Sequence, residues 1–198
     1  FSFNGLSNCV TIPASASLDV GSGAGLTIEC WIKPAELSVA RPLVEYSDGL
    51  NDGVQLWISE PWSANQGGPG DVFANIVDTG GGTHALVSAP GILTTNQFHH
   101  VAVTYDKVSG LGLLYADGAV VFAANLGTFT PRTTSNLLLG FRPDESLYPA
   151  VYSGLMDEVS VYSRTLTTNE IQAIFAAGSA GKCMTPAAPF IVSQPASQ

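Results

Sequence analysis

Residues 154–178, GLMDEVSVYSRTLTTNEIQAIFAAG, constrain the fold more than any other stretch, because an alternating strand runs through a turn into a short helix with both ends marked. Leu155, Asp157, Val159 and Val161 fall on one side of the predicted strand, and Met156, Glu158, Ser160 and Tyr162 on the other. This is the period-two pattern of a sheet with two distinct faces. Asp157 is therefore expected among apolar neighbours, as a buried acid. Thr167, followed three residues later by Glu170, makes a capping box, and Leu166 with Ile171 fills the two positions of a hydrophobic staple. Ile171, Ile174 and Phe175 form one apolar stripe, and Gly178 supplies a left-handed stop. The helix is expected to pack on a sheet as a lid.

The rest of the chain reads as short strands joined by tight turns. Charged residues make up only 12% of the 198, while Gly numbers 21 and Pro 12, a composition that suits such a design. Strands are predicted on either side of Asn4-Gly5, at 26–33 up to Pro34, and at 43–47, 54–59, 72–77 and 85–88. Others follow at 97–105, 112–116, 119–124 after the Asp117-Gly118 hairpin turn, and 137–141. Within 54–59, Val54, Leu56 and Ile58 point inward and Gln55, Trp57 and Ser59 outward. Residues 60–71, EPWSANQGGPGD, have no period and form a long surface loop of the kind that carries binding residues. About a dozen short strands with one late helix give an all-β, two-sheet antiparallel sandwich.

Seven basic residues against sixteen acids leave a net charge of −9, with the basic residues scattered rather than clustered. Nucleic acid and anionic membranes are poor partners for such a surface, whereas cations are compatible with it. No apolar run approaches the ~20 residues of a membrane span. The chain starts at Phe1 without an initiating Met or a leader, which reads as a processed or excised piece. Three cysteines with no C-x-x-C spacing point to an oxidising compartment rather than to a metal. After Lys182 the composition changes to CMTPAAPFIVSQPASQ, a stiff linker whose apolar run at 190–192 resembles the first strand of a following module. Alternatively, residues 189–198 pair along an exposed sheet edge of this chain or of a neighbouring copy.

The 154–178 segment resembles the closing strand and helix of laminin-G-like, concanavalin A-like jelly-roll domains in large secreted bacterial proteins. F-N-G-L-S-N-C-V-T-I-P, L-T-I-E-C-W-I-K-P, and H-H-V-A-V-T-Y-D with L-L-Y-A-D-G resemble the same family in the same order. The resemblance covers about residues 1–182, implies a jelly roll there, and leaves 183–198 as a tail. It also implies a structural Ca²⁺ joining the first turn to Asp157, with Asn4 and Gly5 supplying further oxygens. Asn4, Ser7 and Asn8 stand where the family has carboxylates, which lowers the ligand charge. The alternative is an Asp157 satisfied by backbone N–H groups. Cys9 and Cys30, on two early strands where the family usually has ordinary core residues, are the preferred disulfide. Strand alternation leaves that pairing open, since Cys9 alternates with Val10 and Ile12 whereas Cys30 shares a face with Ile28 and Ile32. Cys183 is left over. The family usually has an earlier leading strand than Phe1 allows, which leaves an open sheet edge.

Saccharide recognition needs flat aromatic platforms and a few fixed polar groups. Trp57, flanked by Gln55, and Trp62 in the adjoining loop fit that demand, with Asp71, Arg142, Asp144 and Tyr148 as further polar contacts. The competing reading packs the tryptophans under a loop. Fold relatives that hydrolyse glycosides carry acids as E-x-D-x-x-E along one strand, and no such run exists here. Glu158 follows Asp157 directly, so alternation sends the two to opposite faces and denies them a shared bond. His99 and His100 diverge, with structural roles in the family, and His84 sits alone. The expectation is a non-catalytic, secreted or surface-displayed binding or adhesion module with carbohydrate as first-choice ligand. Its alternative is a building block of a surface filament whose termini link subunits by strand addition.

Overall fold

The computed structural model describes residues 1–61, 66–143 and 150–182. Twelve strands run in chain order as β1 (Ser2–Asn4), β2 (Val10–Ile12), β3 (Gly25–Pro34), β4 (Arg41–Ser47), β5 (Asp52–Ile58), β6 (Val72–Ile76), β7 (Ala85–Val87), β8 (His99–Asp106), β9 (Leu111–Ala116), β10 (Ala119–Asn125), β11 (Asn136–Leu139) and β12 (Ser153–Tyr162). They form two six-stranded antiparallel sheets, ordered β1-β12-β3-β8-β9-β10 and β2-β11-β4-β5-β6-β7. This is the two-sheet antiparallel sandwich that the strand spacing predicts and the jelly roll that the resemblance implies.

The core lies between the sheets and is built by alternation. Ile28, Cys30 and Ile32 of β3 and Val101, Val103 and Tyr105 of β8 meet Val44 and Tyr46 of β4, Val54, Leu56 and Ile58 of β5, and Ala74 and Ile76 of β6. Strand β3 is buried along nearly its whole length, on both faces. The helix α1 (Thr168–Ala177) packs on the outer face of the first sheet over β8 and β9 and reaches β3 at Trp31. The capping box forms as predicted: Thr167 Oγ1 accepts from Glu170 N at 3.3 Å, and Glu170 accepts from Thr167 N at 2.8 Å. Leu166 and Ile171 are buried against Ala102 and Tyr115 on the outer face of the first sheet. Phe175 stacks on Trp31 with ring centroids 5.7 Å apart. Gly178 has φ +50° but ψ −130°, so it does not close the helix with a left-handed turn, and the chain runs on into the 3-10 turn Gly178–Ala180.

Strand β12 departs from simple alternation. Asp157 pairs with Trp31 and Ser160 with Glu29, so Glu158 and Val159 together oppose Cys30 alone, and Glu158 takes φ +49°. Such a bulge inserts one residue and switches the faces beyond it. Met156 is consequently buried before the bulge, while Val159 and Val161 pack on the core after it. Leu155 and Asp157 are exposed, which corrects the expected buried Asp157. The buried acid is instead Glu29 on β3, fully enclosed. Its carboxylate accepts from His100 Nε2 at 3.0 Å, from Tyr162 Oη at 3.2 Å and from Lys182 Nζ. Burial alone would raise its pKa, but the His100 and Lys182 hydrogen bonds outweigh it and hold the carboxyl below its ordinary value.

Cys9 and Cys30 are not paired. Cys30 is enclosed between the sheets, and Cys9 is exposed just before β2 on the edge of the opposite sheet. Side chains so placed cannot reach one S–S bond. The apolar surroundings push the Cys30 thiol far up. Cys183 and residues 189–198, the predicted edge-pairing strand, lie outside the described residues.

Ile171→Ala is expected to cost about 3 kcal/mol by opening a cavity under the helix, and Thr167→Ala about 1 kcal/mol through the lost cap. Urea unfolding at fixed pH measures both, and a larger loss at Thr167 would contradict the packing described. Cys9→Ser should change stability by less than about 0.5 kcal/mol, against the ~2–5 kcal/mol expected for breaking a disulfide.

Candidate functional site

The central strands of the second sheet send alternate residues outward, and the register lines them up across strands. Gln55 of β5 stands opposite Glu45 of β4 on one side and Asn75 of β6 on the other. Trp57 stands opposite Phe73, which in turn faces Val87 of β7. A polar row therefore runs beside an apolar one on the same face. Beyond β11 the chain returns over this face and brings Arg142 down onto it. The result is a cleft of about 220 Å³ lined by Asp52, Gln55, Trp57, Glu60, Phe73, Asn75 and Arg142.

Arg142 organises the cleft. Its Nε donates to Glu45 Oε1 at 3.0 Å and its Nη2 to Asp52 Oδ2 at 2.6 Å. The guanidinium carbon lies 4.8 Å from the centre of the Trp57 ring, within the range of a cation–π contact. Trp57 Nε1 donates to the second Glu45 oxygen at 3.0 Å. Trp57 does face away from the core as predicted, but it is buried among Phe73, Val87 and Ala150 under Arg142. It is thus a wall of the cleft and not an open stacking platform. Asn75 Nδ2 donates to Gln55 Oε1 at 3.5 Å, and Asn75 Oδ1 accepts from His84 N at 3.1 Å, so both amides are held in place.

Burial sets the electrostatics. It pushes Glu45 up to about 8, with Arg142 pulling the other way and Asp52 adding to the rise. Glu60 is also raised by burial, against the pull of Arg142. Three carboxyl groups thus surround one guanidinium.

Asp71 has a different role from the one predicted. It is fully buried and accepts from Glu60 N at 3.0 Å and Gly68 N at 2.8 Å, so it ties Gly68 back to Glu60 without lining the cleft. Burial raises it to about 6 despite these bonds. Trp62, Asp144 and Tyr148 lie outside the described residues. The sequence reading missed Glu45, Asp52, Glu60, Phe73 and Asn75. The one local signal was alternation, which sets Glu45 between the inward Val44 and Tyr46.

The expected Ca²⁺ site does not fit these residues. Asn4 Oδ1 already accepts from the backbone N–H groups of Leu6, Ser7 and Asn8 at 3.0, 3.0 and 3.2 Å. Asn4 pairs with Ser153, four positions along β12 from Asp157, which is about 13 Å at the usual strand rise. Gly5 N donates to Tyr152 O, beside Asn4 rather than Asp157. Among the described residues no group of three His, Cys, Asp or Glu side chains is placed to hold a metal ion. The bulge has a second consequence: Asp157 and Glu158, expected on opposite faces, both line a cavity of about 370 Å³ with Trp31, Phe98, Gly178 and Ser179. Each histidine has a carboxylate partner: His84 with Asp78, His99 with Asp117 and His100 with Glu29.

A family model for the concanavalin A-like lectin/glucanases superfamily, Laminin_G_3, matches residues 4–172. The chain belongs to that superfamily. No relative among curated proteins matches this member of it. Solved structures similar to it include the heptameric SAP-like pentraxin of Limulus polyphemus, at 16% identity and TM-score 0.62, covering 91% of this chain and 82% of that one. The CBM40 of the Ruminococcus gnavus IT-sialidase, bound to α2,3-sialyllactose, matches at 17% identity and TM-score 0.66 over 88% of this chain and 97% of the other. The Streptococcus pneumoniae sialidase NanB matches at 18% identity and TM-score 0.68, where 88% of this chain covers 27% of the sialidase. At such identities the likeness is one of fold.

The superfamily member should show a pH signature of the cleft. Folded Glu45 keeps its proton up to about pH 8, whereas a glutamate in the unfolded chain releases it near ~4.3. The native state binds more protons between these values, so the contribution of Glu45 is fullest below the lower one and is lost as pH rises through the upper one. Glu45→Gln removes this slope. The urea midpoint of the variant relative to the parent is expected to rise between about pH 5 and about pH 9, and parallel profiles would contradict the raised value.

Proposed function

We propose that this domain is a non-catalytic carbohydrate-binding module that works outside the cell, with the Gln55, Asn75 and Arg142 cleft as its ligand site. The observation that carries the reading is the cross-strand row of Glu45, Gln55 and Asn75, which sets fixed polar groups beside the Trp57 and Phe73 rings on the rigid centre of one sheet. Sugars require such groups because their hydroxyls both donate and accept, and discrimination depends on donors and acceptors that do not move. Similarity of fold to a carbohydrate-binding module supports the same reading, as does the absence of an E-x-D-x-x-E run from the sequence. No helix among the described residues is long and apolar enough to cross a membrane, and the net charge of −9 disfavours polyanionic partners.

A shallow cleft of this size supports dissociation constants on the order of 1 mM to 1 μM. The test is a glycan array probed with the intact 198-residue chain, followed by Gln55→Ala and Asn75→Ala. Both variants are expected to bind array hits at least about tenfold more weakly, with melting temperatures close to the parent. Binding undiminished in both would place the ligand elsewhere, and an empty array would remove the carbohydrate reading.

A further inference from the structure

We infer that the cleft selects uncharged glycans and rejects sialylated ones, an inference that rests on the carbohydrate reading above. It runs against the sialyllactose held by the similar CBM40 and follows from how Arg142 is used here. An arginine recognises a carboxylate best with two parallel N–H bonds from one edge of its fork. In this cleft Nε is committed to Glu45 and Nη2 to Asp52, and the guanidinium carbon lies over the Trp57 ring. The Nε–Nη2 edge, which would clamp an incoming carboxylate side-on, is already filled by the protein's own acids.

The surrounding charge points the same way. Asp52 and Glu60 stand against Arg142, the single base among the described residues that line the cleft. Glu45, enclosed beneath them, keeps its proton up to about pH 8 and adds no charge of its own, and burial raises Glu60 as well, because the recess disfavours anions. A further carboxylate meets net repulsion in surroundings where water screens it poorly. A neutral pyranose meets none. Its hydroxyls donate to Asp52 and Glu60 and exchange bonds with the Gln55 and Asn75 amides, and a cleft of about 220 Å³ admits one ring, below the ~300–1,000 Å³ usual for larger ligands.

The experiment compares neutral glycans with their sialylated counterparts, lactose and α2,3-sialyllactose among them, by titration calorimetry on the intact chain and by array. Sialylation is expected to weaken binding by about tenfold or more at low salt, with the gap closing as salt is added. Asp52→Asn combined with Glu60→Gln should narrow the gap, and Glu60→Gln alone provides the same comparison if the double variant does not fold. Sialylated glycans bound as well as or better than neutral ones would overturn the inference while leaving the carbohydrate reading intact. A gap unmoved by both salt and Glu60→Gln would also overturn it, and failure of every glycan to bind would end both.

Discussion

Insertion of β12 between β1 and β3 is the contact on which the rest of the molecule depends. Among the described residues strand β1 pairs only with β12, and β12 continues directly into the turn and helix that cover β3 and β8. Phe3 pairs with Gly154 and Ile32 with Met156, so closing the sheet joins the two ends of the domain. The entropy of closing so long a loop grows only slowly with its length, and a ten-residue ladder with a capped helix behind it is enough to offset that cost. The helix in turn needs the sheet, since a ten-residue helix is marginal in water without a surface on which to bury its apolar stripe.

Each sheet also encloses one carboxylate on its outer face, and in each case a later part of the chain brings the cation. Glu29 receives Lys182 from beyond the helix, together with His100 and Tyr162. Glu45 receives Arg142 from beyond β11, together with Trp57. A buried charge at Glu29, or a buried carboxyl at Glu45, left without partners would destabilise the fold severely, so each return segment is tied to its sheet by this requirement. The two sites differ in what else is nearby. Donors converge on Glu29 and outweigh its burial, making the site a clasp for the end of the domain. Asp52 lies beside Glu45, burial prevails there, and the result is a polar recess with an uneven charge and room for a ligand. A clasp at one acid and an open cleft at the other thus arise from the same physical problem.

Much of this architecture was legible along the chain. The capping box at Thr167 and Glu170, the Leu166 and Ile171 staple, the inward set Val54, Leu56 and Ile58, and the two-sheet class all rest on spacings of two to four residues. The misplacement of Asp157 has a specific cause. A bulge formed by Glu158, a residue type with no preference for positive φ, leaves no mark in composition, yet one extra residue moves every later side chain to the other face. The Ca²⁺ set inferred from Asn4, Gly5 and Asp157 does not fit for a separate reason, the register that sets Asn4 opposite Ser153 and away from Asp157. Trp57 was assigned to the correct face with its exposure left open between a platform and a packed ring, because nothing near position 57 announces that Arg142 will lie over it.

By itself the sequence determined which residues alternate, where the helix starts and that the chain closes as a sandwich, because these follow from periods and caps that act over a single turn or strand. Only the tertiary structure decided which acids are buried, which face Asp157 occupies and which residues line the cleft. Those outcomes depend on register and coverage between segments far apart in the chain, where one slipped residue or one returning loop changes what water can reach.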